Sequence, residues 1–273
     1  MKKISLLICL FLSLSSSAAD NKEYWLFAGN PASGKSKIIN SLLQKEVAKS
    51  GPSIGGVLTK ECALYPNPNG NIVYIDTPVL DDINTRADAA KEIEKALKQN
   101  GKYRIFFVID SNGLKTRPAD LDTMKIILDA INLTNIEYNI IVNQLTIPEL
   151  SEVVKDNNAI KLAKSLKAGK YHTYNIRFIP MDLNVLQGNK NFIDFEPEMI
   201  EFLSQSSASM QIPQNCIKTV DGESHEEKIR NLNTQTEIIK EKIKTTKQET
   251  EMLEKEAKRL REQLEKIKNN RVY

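Results

Sequence analysis

Tyr24-Trp25-Leu26-Phe27-Ala28-Gly29-Asn30-Pro31-Ala32-Ser33-Gly34-Lys35-Ser36-Lys37-Ile38-Ile39 is the stretch on which the fold turns. It reads as a short apolar strand, a tight loop and the start of a helix. The loop satisfies G-x-x-x-x-G-K-[ST] at every fixed position, through Gly29, Gly34, Lys35 and Ser36. Two glycines let the backbone curl until successive N–H groups face one centre, a geometry that cradles a phosphate chain. The helix that follows aims its positive end at the same place. In such a P-loop Lys35 reaches the terminal phosphates and the Ser36 hydroxyl ligates magnesium. Asn30, Pro31, Ala32 and Ser33 complete the candidate nucleotide-binding loop. The plain alternative is an ordinary glycine turn between a strand and a helix.

The segments downstream alternate in a way that suits this loop. Residues 37–49 continue as a helix with Ile38, Ile39, Leu42, Leu43 and Val47 on one face, stopped by Ser50-Gly51-Pro52. Asn71-Ile72-Val73-Tyr74-Ile75-Asp76 is a strand ending in Asp-Thr-Pro. A carboxylate at a strand tip beside a P-loop is placed to support magnesium, which makes Asp76 a candidate metal-side residue; without the loop it would be a turn-capping Asp. Thr59, after a glycine-rich run, stands where a switch threonine would close on magnesium and the terminal phosphate. Helical patterns at 84–100 and 118–131, around 147–166 and from 197 alternate with apolar runs at 103–110, 137–142 and 174–179. Strands alternating with helices predict an α/β domain with a mainly parallel sheet covered on both faces. Residues 205–222 are polar, aperiodic and proline-bearing, and read as a linker.

From residue 223 the character of the chain changes. One core position of a seven-residue repeat carries Ile229, Thr236, Ile243, Thr250, Ala257 and Leu264. The other carries Leu232, Ile239, Thr246, Leu253, Leu260 and Ile267. Neither proline nor glycine interrupts residues 223–270. This predicts a C-terminal coiled-coil helix, whose flanking charges leave parallel, antiparallel and hetero-partnered pairings open.

The other end of the chain is equally distinct. Lys2 and Lys3 precede the apolar run Ile4 to Leu14, and Ser17-Ala18-Ala19 suits a cleavage site before Asp20. Residues 1–19 are therefore expected to be a secretory signal peptide, so that the protein is exported or secreted; an uncleaved N-terminal membrane anchor is the alternative. The expected layout is then 1–19 signal peptide, 20–204 P-loop domain, 205–222 linker and 223–270 coiled coil. With 38 basic against 35 acidic side chains the net charge is +3, and no nucleic-acid partner is predicted. Cys62 and Cys216, alone after cleavage, and the distant His172 and His225 make no metal-binding pattern.

Three segments together carry a family likeness. Gly29 to Ser36, Thr59-Lys60-Glu61-Cys62 and Ile75-Asp76-Thr77-Pro78 resemble the G domains of the GIMAP (immunity-associated nucleotide-binding) GTPases, over about residues 24–204. Phe106 to Ile109 and Tyr138 to Asn143 are similar to that family's later strands. The resemblance implies GTP and GDP as ligands, with Mg2+ held by Ser36 and Thr59 and supported by Asp76. It gives Lys35 and Thr59 the catalytic roles and aligns Asn143 with the first residue of the guanine-reading [NT]-K-x-D box. It implies a slow or switch GTPase that self-associates through the G domain or the coiled coil, or docks another protein partner. Two positions depart from the family pattern. Val79 replaces the glycine of Asp-x-x-Gly, and Thr146 replaces the aspartate that would accept guanine's hydrogen bonds. They keep open a pseudo-GTPase scaffold and an ATP-using P-loop protein.

Overall fold

Alternating large apolar side chains build the centre of the sheet. In β1 (Glu23–Ala28) Trp25 and Phe27 face one way, and Tyr24, Leu26 and Ala28 the other. The computed structural model describes residues 22–49, 59, 61–80, 85–173, 175–182, 187, 192–223 and 225–269. The expected signal peptide and the glycine-rich approach to Thr59 lie outside the described residues. Two parallel neighbours flank β1: β3 (Ile72–Asp76) and β4 (Lys102–Asp110). β5 (Asn139–Leu145) and β6 (Ile176–Pro180) extend the parallel sheet on one side, and β2 (Ala63–Pro66) adds an antiparallel edge on the other. The strand order is β2-β3-β1-β4-β5-β6. The described chain thus has the expected α/β fold, a mainly parallel sheet with helices on both faces, followed by a long C-terminal helix.

Each face of the sheet has its own apolar layer. α1 (Lys35–Leu43) and α6 (Pro197–Gln205) cover one face, where Ile38, Ile39, Met199 and Leu203 meet Trp25, Phe27, Phe106 and Val108. On the opposite face lie α2 (Arg86–Leu97) and α3 (Pro118–Ala130), with Ile93, Met124 and Ile127 against Leu26, Ile75 and Phe107. Burying each such side chain contributes about 1.5–3 kcal/mol. The parallel arrangement gathers the C-terminal ends of β1, β3, β4 and β5 along one edge, and the candidate residues sit there.

Local chemistry adjusts several expected boundaries. The helix after the P-loop ends at Leu43 rather than at residue 49. Gln44 takes a left-handed conformation at φ 49°, and the Asn40 side chain accepts the N–H groups of Val47 and Ala48. The pattern at 147–166 forms two helices, α4 (Ile147–Val153) and α5 (Asn158–Ser165), because Asp156 and Asn157 turn left-handed between them. Asp and Asn tolerate that region better than other non-glycine residues.

Residues 205–222 differ most from their reading as a linker. They carry β7 (Met210–Gln211), which pairs antiparallel with β4, and a bridge between Ile131 and Ile217. Ile212, Ile217 and Val220 are buried. The compact unit that contains the sheet runs to Gly222, so these residues belong to it. All three join the apolar layer that also holds Ile93, Met124 and Ile127, and their irregular spacing leaves no periodicity to read. Cys62 and Cys216 are free thiols.

The second unit holds α7 (His225–Asn269), an unbroken helix of 45 residues and so about 65 Å long. Its heptad residues Ile229, Leu232, Ile239, Ile243, Leu253, Leu260 and Leu264 are all exposed. Thr236 and Thr250 donate their hydroxyl protons to the carbonyls of Leu232 and Thr246, one turn back in the same helix. Two of the three threonines in the repeat therefore satisfy their donors internally. Among the described residues no helix is long and apolar enough to cross a membrane.

Candidate nucleotide-binding site

The loop from Gly29 to Ser36 makes its sharp turns where the sequence permits them. Gly29 has φ 153° and lies against β4, where a Cβ would stand 2.0 Å from the Val108 carbonyl oxygen. Gly34 has φ 94°, and a Cβ there would meet the Asn143 side-chain nitrogen at 2.3 Å. Between them Ala32 is also left-handed at φ 61°, and the exposed Pro31 and Ala32 form the crown of the loop. Both glycines are thus fixed twice over, by backbone angle and by the close approach of a neighbour.

Lys35 opens α1 and folds back over the loop. Its ammonium donates to the carbonyls of Gly29 at 2.8 Å and Asn30 at 3.4 Å. Burial lowers its pKa to about 8, against the opposing pull of the Asp76 carboxylate. Burial likewise raises the Asp76 carboxyl, with Lys35, Ser36 and Thr59 pulling the other way. Both shifts disfavour charge, so desolvation outweighs the attraction between the two groups.

The tip of β3 brings the three candidate metal residues together. Ser36 donates its hydroxyl to Asp76 Oδ2 at 2.6 Å, and the Thr59 hydroxyl reaches the same oxygen at 3.5 Å. Asp76 Oδ1 is buried and has no partner. Two hydroxyls and a carboxylate with a free lone pair, beside a buried ammonium, form an oxygen donor set that fits magnesium with phosphate. Ser33 Oγ, also buried, is similarly unpartnered. Val79, where the glycine of Asp-x-x-Gly would stand, is a packing residue with 3% of its surface exposed.

A polar network that no motif announces holds the second residue of the loop. Asn30 Nδ2 donates to Asp120 Oδ1 at 2.8 Å, and Thr123 Oγ1 donates to Asn30 Oδ1 at 2.8 Å. Arg117 donates to both Asp120 oxygens, at 2.9 and 3.2 Å. Asn30, Asp120 and Thr123 are all buried. The N-terminal turn of α3 thus grips the P-loop. The only trace of this in the sequence is an Asp two residues after the Pro that opens the helix.

At the end of β5 the Asn143–Thr146 loop docks on the same P-loop. Asn143 Nδ2 donates to the Ser33 carbonyl at 2.8 Å, and Gln144 Nε2 donates to the Ala32 carbonyl at 2.7 Å. Thr146 caps α4, and Glu149, three residues on, completes a capping box with it. The Glu149 carboxylate also accepts from the Ser111 hydroxyl and the Gly113 N–H, at the end of β4. Glu149 did not figure among the sequence candidates, although T-x-x-E at a helix start is a legible signal.

Comparison with known proteins agrees with this fold. Residues 25–144 match the family model described as 50S ribosome-binding GTPase. The chain carries a domain with the P-loop GTPase fold. Toc33 from Arabidopsis thaliana, as a dimerization-deficient mutant, is similar in fold with TM-score 0.51 and 17% identity, covering 76% of this chain and 93% of that one. A structure of the chloroplast translocon components atToc33 and psToc159, whose dimerization is described as important for GTPase activity, gives TM-score 0.53 at 15% identity, covering 76% and 92%. Era in complex with MgGDPNP and a segment of 16S ribosomal RNA matches with TM-score 0.42 and 21% identity, over 64% of this chain and 59% of that one. The chain thus spans about three fifths of Era's length. No curated protein sequence matches the chain.

Proposed function

We propose that the protein is a guanine-nucleotide-binding, GIMAP-like GTPase that hydrolyses GTP to GDP slowly or acts as a switch. In this reading the backbone from Gly29 to Gly34 holds the phosphates and Lys35 neutralises the terminal ones. Ser36 and Thr59 ligate Mg2+, Asp76 supports it, and Asn143 steadies the base loop. Magnesium, when bound by these residues, would supply charge neutralisation for the phosphates. The observation that carries the proposal is the convergence of Ser36 and Thr59 on Asp76, whose second oxygen is buried and unpartnered. Residues far apart in sequence meet there around one carboxylate, beside the P-loop lysine.

Titration calorimetry of residues 20–273 with GTP, GDP and ATP analogues, with and without magnesium, tests the reading. Magnesium-dependent, guanine-selective binding is expected; failure of every nucleotide to bind would overturn it. A second reading, a nucleotide-binding scaffold without turnover, is favoured by the buried Val79 in place of a glycine. Magnesium-dependent phosphate release that disappears in Ser36→Ala would exclude that scaffold.

The long helix extends the proposal. Its exposed heptad residues and internally satisfied threonines support a coiled-coil tail that pairs with a second copy or docks a partner protein. Self-association through the G domain is a further expectation, and sedimentation of the chain with and without residues 223–273 separates the two routes. Export by the N-terminal segment is also a proposal. Mature protein beginning at Asp20 in the exported fraction is expected, and an intact Met1 on cytosolic protein would overturn it.

A further inference from the structure

The base end of the site lacks the carboxylate that the family pattern places at residue 146, yet a carboxylate is present within hydrogen-bond reach of that residue. The guanine edge presents N1–H and N2–H donors, so its reader must offer acceptors, best backed by negative charge. Thr146 alone offers a hydroxyl that can donate or accept. Glu149 decides which. The Thr146 hydroxyl donates its proton to Glu149 Oε2 at 2.8 Å, and the Thr146 N–H donates to the same oxygen at 2.7 Å. With its proton committed and one lone pair taken by the Glu149 N–H at 3.4 Å, Thr146 Oγ1 keeps one lone pair with which to accept. The Ser111 hydroxyl lies within donating distance of both Glu149 oxygens, at 3.1 and 3.2 Å, and of the Gln144 carbonyl at 3.3 Å.

The position of this cluster is set independently of the helix cap. Asn143 and Gln144, three and two residues before Thr146, tie their loop to the Ser33 and Ala32 carbonyls. Asn143 is 2% exposed, and its Oδ1 has no partner. A buried amide oxygen left open beside the P-loop marks a place where a ligand's polar edge is received. The hydrogen bonds from Thr146, Ser111 and Gly113 also hold the Glu149 carboxyl below the usual carboxylate range.

We infer that Glu149 is the specificity-positioning residue for the base. Through Thr146 it supplies the charge and the acceptor orientation that select a purine with donors at N1 and C2. The inference rests on the nucleotide-binding reading above.

The test is titration of wild type, Glu149→Gln and Thr146→Ala with GDP, ADP and xanthosine diphosphate in magnesium. Xanthine carries a carbonyl where guanine carries its 2-amino group. Glutamine also completes a capping box, so Glu149→Gln keeps the helix start while removing the charge and adding a donor to Thr146. Its melting temperature is expected to stay close to wild type. Its GDP Kd is expected to weaken about thirtyfold while xanthosine diphosphate binding improves. In the Thr146→Ala background the same change should have little further effect. Wild-type GDP binding with an unchanged GDP-to-xanthosine-diphosphate ratio in Glu149→Gln would overturn this inference alone, leaving Glu149 a helix cap. Adenine preference in the wild type would also overturn it while sparing the phosphate site. Absence of all nucleotide binding would overturn both readings.

Discussion

The two ends of the candidate site are built on different principles. At the proposed phosphate end, recognition would come from backbone N–H groups, two glycines and a lysine, all within Gly29–Ser36. At the proposed base end, side chains from β5, from α4 and its cap, and from the turn after β4 converge: Ser111, Asn143, Gln144, Thr146 and Glu149. A phosphate chain is the same in every nucleotide, so a fixed backbone cradle suffices and its residues cannot drift. A base edge is read by donor and acceptor identity, which different side chains can supply from different positions. The departure at Thr146 is therefore tolerable in a way that a departure at Lys35 would not be.

The comparison implies that phosphate-end variants weaken all nucleotides alike, whereas base-end variants change the ratio between them. Lys35→Ala should have the largest effect. Loss of about 3 kcal/mol of binding, on the order of a hundredfold in Kd, is expected equally for GDP and ADP by calorimetry. An effect confined to one base would break the contrast. Ser36→Ala should weaken binding about tenfold in magnesium and leave the affinity in EDTA nearly unchanged, because it removes one ion ligand and the hydrogen bond to Asp76.

The pH dependence follows from Lys35. Its folded-state pKa of about 8 lies below the ordinary 10.5, so the unfolded chain holds more protons between those values. This group therefore makes the nucleotide-free protein more stable as pH rises from 8 toward 10.5, and costs stability below that window. Phosphate binding favours the protonated ammonium, so binding takes up a proton above pH 8. Affinity should then fall by up to about tenfold per pH unit, for every base. Calorimetry at pH 9 in buffers of different ionisation enthalpy reads the uptake directly, and an uptake absent in wild type would show that Lys35 is already charged. Asp120→Asn should give the smallest change. Weakening the Asn30 grip is expected to cost about 1 kcal/mol, roughly fivefold in Kd for all nucleotides alike. A change in the GDP-to-ADP ratio in this variant would blur the boundary between the two ends.

How far each feature could be read ahead of the structure follows the same division. The strand–loop–helix at 24–39 was legible because its determinants are contiguous. The places of Ser36, Thr59 and Asp76 were legible as types, and the structure adds that they meet. Residues 205–222 read as a linker because Ile212, Ile217 and Val220 are spaced without period, although all three enter one core layer of the sheet. The grip of Asp120 on Asn30 joins residues 90 apart in the chain and leaves no local pattern.

The sequence by itself determined the phosphate loop, the alternation that forces a mainly parallel sheet, and the heptad repeat of α7. Each is written in residues whose spacing matches a turn, a strand or a helix. Only the tertiary structure decided that Asp76 is buried with one oxygen open, that α3 clamps the loop, and that Glu149 stands behind Thr146. Those facts depend on which strand ends and helix starts come to lie side by side, and side-chain chemistry brought together across a sheet edge has no fixed spacing in the chain.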